Sequence, residues 1–248
     1  KAWPFGASDF APRDVIVRPG FPALTTSPGR LKSAARRAMA RLCLTSSPDE
    51  PAVFSAFGRA VYRFRRVGDA LQHTGTLGGF TEECRLVAEG PVNTVVIATG
   101  KSLHVTDLTR PDSPSIHAQD AHTSVITTLY CDAASGLVFS SGKDLRINAW
   151  RIDLDEQRLK ALASIETQGW TLALYFDLDT NVLLTGGLDS VIRIWRFENY
   201  AKFVPLSKSQ ETHGVLTLHY RRNFDGALLS SGQDGAVRVW QLRDSRLV

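Results

Sequence analysis

The chain has 248 residues, 43% of them hydrophobic and 22% charged, with a formal net charge of +4. That is enough for a large core in one or two domains. No apolar run reaches the length of a membrane span, which excludes a helical membrane protein. No Asn-x-Ser/Thr sequon occurs, and the three cysteines, Cys43, Cys84 and Cys131, are scattered without metal-ligand spacing. Isolated thiols suit a reducing compartment, so an intracellular protein is expected. The start at Lys1, without Met, reads as processed or truncated.

The charge is uneven along the chain: residues 1–75 hold 12 Lys/Arg against 5 Asp/Glu. The excess lies in Arg30, Lys32, Arg36, Arg37 and Arg41, and again in Arg59, Arg63, Arg65 and Arg66. Such a bias favours RNA or an acidic protein surface. Residues 1–38 form an N-terminal extension in which "DVIVRPG" reads as a strand and "LKSAARRAMARL" as a short helix. From residue 39 onwards strands and turns alternate. "ARLCLTSSPDEPAVFSAFGRAVYRFR" (40–65) gives strand, turn, strand, Gly turn, strand, and "CRLVAEGPVNTVVIATGKSLHVTDL" (84–108) repeats the order.

Inside the second of these, Gly100-Lys101-Ser102 imitates a phosphate-binding loop. That loop needs a Gly five residues before Gly100 and a helix after it, so that backbone N–H groups wrap the anion. Val95 stands at that place, and the alternating "SLHVTDL" follows; the tripeptide reads as a turn between strands. "HAQDAH" brings His117, Asp120 and His122 close enough to tempt a metal reading, but the repeat described next claims His122. No cofactor, metal or catalytic constellation is expected.

Three segments, 122–150, 167–195 and 213–240, align on one another. Trp150, Trp195 and Trp240 are 45 residues apart, as are Asp144, Asp189 and Asp234, and Gly142, Gly187 and Gly232. Each holds three strands separated by turn-forming residues, with a fourth, outer strand after the Trp. Four antiparallel strands at this period match one blade of a β-propeller.

The aligned residues resemble the WD-repeat family, in which His, Ser/Thr, Asp and Trp form a hydrogen-bonded tetrad. Carried over by position, the resemblance implies His122, Ser140, Asp144 and Trp150 in one unit and His213, Ser230, Asp234 and Trp240 in another. The middle unit has Thr185, Asp189 and Trp195, with Thr167 where His is expected. Phe64 and Thr106 stand near the Trp position of the two earlier units. Arg151, Arg196 and Gln241 replace the Asp that follows Trp in the family, so its signature for ubiquitin-ligase adaptor docking is absent. The expected architecture is an all-β propeller over 39–248, with five recognisable blades and, by resemblance, seven in the complete ring. Because the sequence stops soon after Trp240, the last blade's outer strand is expected from the N-terminal segment around Asp14–Arg18. The expected function is a non-enzymatic scaffold that binds other proteins of a larger complex and no membrane. Its contacts are placed at Trp170, Thr123 and Val215, which flank the inter-blade loops. An alternative is an RNA-associated subunit that uses Arg36, Arg37, Arg63, Arg65 and Arg66. Trp170 has a second reading, as filler of the space left by the missing imidazole.

Overall fold

The structure is a computed structural model that describes residues 42–44, 52–67, 70–110, 115–221, 226–243 and 246–247. The N-terminal extension, including Asp14–Arg18 and the predicted helix, lies outside the described residues. So do Arg30, Lys32, Arg36, Arg37 and Arg41.

Five four-stranded antiparallel sheets follow one another along the chain. Blade A comprises β1 (Leu42–Leu44), β2 (Ala52–Phe57), β3 (Ala60–Val67) and β4 (Ala70–Leu77). Blade B comprises β5 (Cys84–Glu89), β6 (Thr94–Thr99), β7 (Ser102–Asp107) and β8 (Ile116–Ala118). Blade C is built of β9 (Ile126–Asp132), β10 (Leu137–Gly142), β11 (Arg146–Asp153) and β12 (Arg158–Glu166). Blade D has β13 (Thr171–Asp177), β14 (Val182–Gly187), β15 (Val191–Glu198) and β16 (Lys202–Gln210). Blade E has β17 (Val215–Arg221), β18 (Ala227–Gly232), β19 (Val237–Arg243) and β20 (Arg246–Leu247). This is the all-β architecture expected of propeller blades, and both degenerate upstream units are blades. Blade E has a short fourth strand, β20, paired with the end of β19 through Leu242↔Leu247 and Arg243↔Arg246; the closing strand expected from Asp14–Arg18 lies outside the described residues.

Turn chemistry sets the blade length. The residue before the second strand is Asn93, Gly136, Asn181 and Gly226 in blades B to E, and all four have positive φ, between 53° and 70°. Gly and Asn are the residues that tolerate this left-handed backbone at least cost. Gly100, with φ of 52°, opens the two-residue turn that returns β6 into β7, so the loop that imitated a phosphate site is a hairpin turn. Its carbonyl accepts from Ile126 N–H at 2.8 Å and that of Lys101 from His122 N–H at 3.1 Å, which ties blade B to blade C.

The core is divided into slabs between neighbouring blades. Phe54, Ala56 and Val61 of blade A meet Cys84, Val95 and Ile97 of blade B. Val96, Leu103 and Val105 meet Ile126, Val138 and Trp150. Phe139, Ile147 and Ala149 meet Leu174, Phe176, Leu183 and Trp195. Leu184, Ile192 and Ile194 meet Val215, Leu218, Tyr220 and Leu228. The second strands of blades B, C and D are therefore buried on both faces, which is why they read as unbroken apolar runs while third strands alternate. The next face in the series is uncovered. At the positions of Ile192 and Ile194, buried to within 1%, blade E has Val237 and Val239, each 68% exposed.

Candidate functional site

Pairing registers place equivalent residues without reference to sequence similarity. The second residue of the second strand faces the Trp position in every blade: Val53↔Phe64, Val95↔Thr106, Val138↔Trp150, Leu183↔Trp195 and Leu228↔Trp240. Two residues further along β10, β14 and β18 lie the hydroxyls. Each indole Nε1–H donates to one of them: Trp150 to Ser140 at 3.0 Å, Trp195 to Thr185 at 3.1 Å, and Trp240 to Ser230 at 2.9 Å. A buried indole requires such an acceptor.

In blade C the network continues. Ser140 lies 2.8 Å from His122 Nε2, and His122 Nδ1 lies 3.0 Å from both oxygens of Asp144. A carboxylate only accepts, so Nδ1 carries the proton and donates to Asp144, which leaves Nε2 to accept from the Ser140 hydroxyl. Thr123 N–H also donates to Asp144, at 2.9 Å. Burial lowers the His122 pKa, partly offset by Asp144. Burial raises the Asp144 carboxyl, but the His122 hydrogen bond and charge and the backbone donors outweigh it and hold it below its ordinary range. Both directions agree on one state, a neutral imidazole beside a carboxylate.

The other two units differ. The backbone N–H groups of His122, Thr167 and Glu211 make the same contact, to the last turn residue of the preceding blade: Lys101, Leu145 and Ser190 at 3.1, 2.7 and 2.7 Å. Thr167 thus stands in the imidazole's place, as expected. In blade E, however, that place belongs to Glu211 and not to His213. Ser230 donates to Glu211 Oε1 at 3.1 Å, while the His213 side chain, 56% exposed, keeps of the tetrad contacts only that with Asp234, at 3.4 Å, and lies 3.1 Å from Thr212 Oγ1. The connection between β17 and β18 is one residue longer than in blades C and D. A count carried back from Trp240 is shifted by that residue, and the nearby imidazole of His213 completes the false match.

An arginine compensates where the imidazole is missing. The residues paired with the three hydroxyls are Asn148, Arg193 and Arg238. Asn148, beside the true His, donates to the Ala121 carbonyl at 2.9 Å. Arg193 instead pairs with Asp189 at 2.6 Å, and Arg238 with Asp234 at 2.6 Å and Glu211 at 3.3 Å. The Arg238 hydrogen bond, helped by Ala236 N–H, pulls the Asp234 pKa down to about 2. Arg four residues after the turn Asp, against Asn in the unit that keeps its His, was the sequence signal that could have revealed the exchange.

The turns that hold these groups form one surface. Trp170 is 38% exposed and Leu188, whose N–H donates to the Trp170 carbonyl at 3.0 Å, is 40% exposed. Beside Trp170, Asp189 is packed so closely on Gly169 that a Cβ there would come within 2.8 Å of the Asp189 Cβ. Lys143 Nζ lies 4.6 Å from the centre of the Trp170 ring. Thr123 is exposed beside this surface. Val215, predicted as a contact, is 1% exposed and packed against Gly186, because it opens an inner strand whose side chain enters the slab between blades D and E. Among the basic candidates Arg63 is half-buried and Arg65 exposed on β3, whereas the side chain of Arg66 and all of Arg36 and Arg37 lie outside the described residues.

The other chemical candidates resolve into structure. Lys101 pairs with Asp120 at 2.8 Å, and no group of His, Cys, Asp or Glu among the described residues is arranged to hold a metal. Burial, then Glu83, pushes the Cys84 thiol up to about 11. A cleft of about 300 Å³ between blades B and C, lined in part by Thr94, Asp107, Arg110, Leu154 and Gln157, contains none of the predicted site residues. Among the described residues no helix is long and apolar enough to cross a membrane.

The sequence model of the family described as "WD domain, G-beta repeat" matches residues 161–196 and 205–241. The chain carries WD repeats. No curated protein sequence matches it. Each matched WD repeat begins in the outer strand of one blade and ends in the third strand of the next, so the repeat straddles a blade junction. WD repeats indicate a protein-interaction scaffold.

Proposed function

We propose that this WD-repeat protein is a non-enzymatic scaffold subunit of a multiprotein assembly, and that it engages its partners through the turn surface of blades C to E. The observation that carries this reading is the exposure of Trp170 and Leu188 side by side on a rigid sheet edge. A large aromatic costs little conformational entropy to bury, which favours it as an interface anchor. The polar networks beneath it serve architecture: they fix the turns that present the side chains. Thr123, held through its N–H by Asp144, borders the same surface.

The test compares the proteins captured by the wild-type chain with those captured by Trp170→Ala combined with Leu188→Ser, after matching their melting curves. Selective loss of partners at unchanged stability is the expected result. An identical partner set would refute the turn surface as the contact. Partners that survive this double change but vanish on ribonuclease treatment, or on replacing Arg59 and Arg65, would favour the RNA-associated reading instead.

A further inference from the structure

We propose that the turn surface of blades C to E selects a peptide segment that carries an acidic side chain next to bulky apolar ones; this rests on the reading of that surface as the partner contact. Two large apolar side chains lie along it, Trp170 and Leu188, at 38% and 40% exposure. They are neighbours through the backbone. Leu188 donates to the Trp170 carbonyl. Gly214 lies against Leu188, where a Cβ would come within 3.4 Å of the Leu188 Cα.

The charge pattern sets the partner's sign. The carboxylates of these turns are engaged by other groups: Asp144, still ionised, accepts hydrogen bonds from the neutral His122 and from Thr123 N–H, Asp189 pairs with Arg193 and Asp234 with Arg238. Glu211 is held by Arg238 as well. Lys143 stands apart. Among the described residues no carboxylate lies within ion-pair distance of it, and its ammonium rests over the Trp170 ring. A cation on an aromatic face is only modestly stabilised at an exposed site, so it is available to a better partner. A peptide carboxylate meets it at the edge of the apolar strip, where displaced water strengthens the pair. One cation beside a tryptophan and a leucine suits a peptide better than a nucleic acid, which needs several phosphate contacts and stacking surfaces.

The experiment uses an array of 12-residue peptides in which Glu or Asp neighbours Leu, Phe or Met, each paired with copies that carry Gln/Asn or Lys at the acidic place. The purified full chain is the probe. Acidic peptides are expected to bind at least about tenfold more tightly than their amide copies, a difference of about 1.4 kcal/mol. Lys143→Glu is expected to shift the preference to the Lys copies with the melting curve unchanged. Binding that ignores the acidic position, or a Lys143→Glu profile equal to wild type, would overturn the proposal. If Trp170→Ala with Leu188→Ser still abolishes partner capture in that case, the contact surface stands and only its acidic selectivity falls. Binding of a uridine oligonucleotide in place of every peptide would also overturn it.

Discussion

At position 106 a threonine occupies the place taken by tryptophan in the three later blades. Its hydroxyl is buried and has no hydrogen-bond partner among the described residues. The cause lies across the hairpin: where blades C, D and E set Ser140, Thr185 and Ser230, blade B has Ile97. An unmatched buried hydroxyl costs about 1–3 kcal/mol. Thr106→Val is therefore expected to stabilise the protein by roughly 1 kcal/mol. Thr185→Val, nearly the same change in shape, is expected to destabilise it by about 1–3 kcal/mol by orphaning the Trp195 indole. Urea denaturation of the two variants checks the opposite signs. Residues of this kind mark the limit of reading from sequence. Trp, Asp and Gly at a 45-residue period could be aligned because their chemistry is specific. The exchange of His for Glu211 with Arg238 escaped that alignment, since the same hydrogen bond is made by a different side chain at a shifted count, and only the Arg four residues after the turn Asp signals it.

A blade is a hydrogen-bonded unit, and its polar network gives it a pH dependence. In blade C, His122 is neutral in the native state with its pKa below the ordinary 6.5, chiefly through burial. As pH falls below that value the unfolded chain takes up a proton that the native imidazole refuses, so stability decreases towards the lowered native pKa. Asp144, also lowered from its ordinary 3.8, adds a second loss of the same sign as pH falls below that value. His104 in blade B, lowered by burial and by His117, acts in the same sense as His122. Stability measured from pH 7 down to pH 5 is expected to fall for the wild type and to fall less steeply for His122→Gln. Equal slopes would show that the native imidazole is not held neutral. The first three strands of each blade were legible, because Gly and Asn punctuation and apolar runs report local backbone and burial. The outer strand of blade E was not: β20 has two residues, too short for any periodicity.

For the molecule as a whole, the informative comparison is between equivalent positions. Ile194 and Val239 occupy the same place in successive blades, yet one is 1% and the other 68% exposed. Ile194→Ala is expected to cost about 2–5 kcal/mol, through lost transfer energy and the cavity left behind. Val239→Ala is expected to change stability by less than about 0.5 kcal/mol. A large effect at Val239 would show that another element covers this face in solution. The sequence does not reveal the difference, since "VIRIW" and "AVRVW" alternate alike whether or not a neighbour packs beside them.

The straddling of blade junctions by each WD repeat has a consequence for how such a chain changes over time. A repeat carries one side of a junction in its outer strand and the body of the following blade in the rest. Duplicating or deleting a whole repeat therefore joins an outer strand to an inner strand of the kind it already meets, and leaves every remaining junction of the same type. Blade number can drift by whole steps without inventing a new contact, and what must adapt is only the curvature with which the blades close on one another.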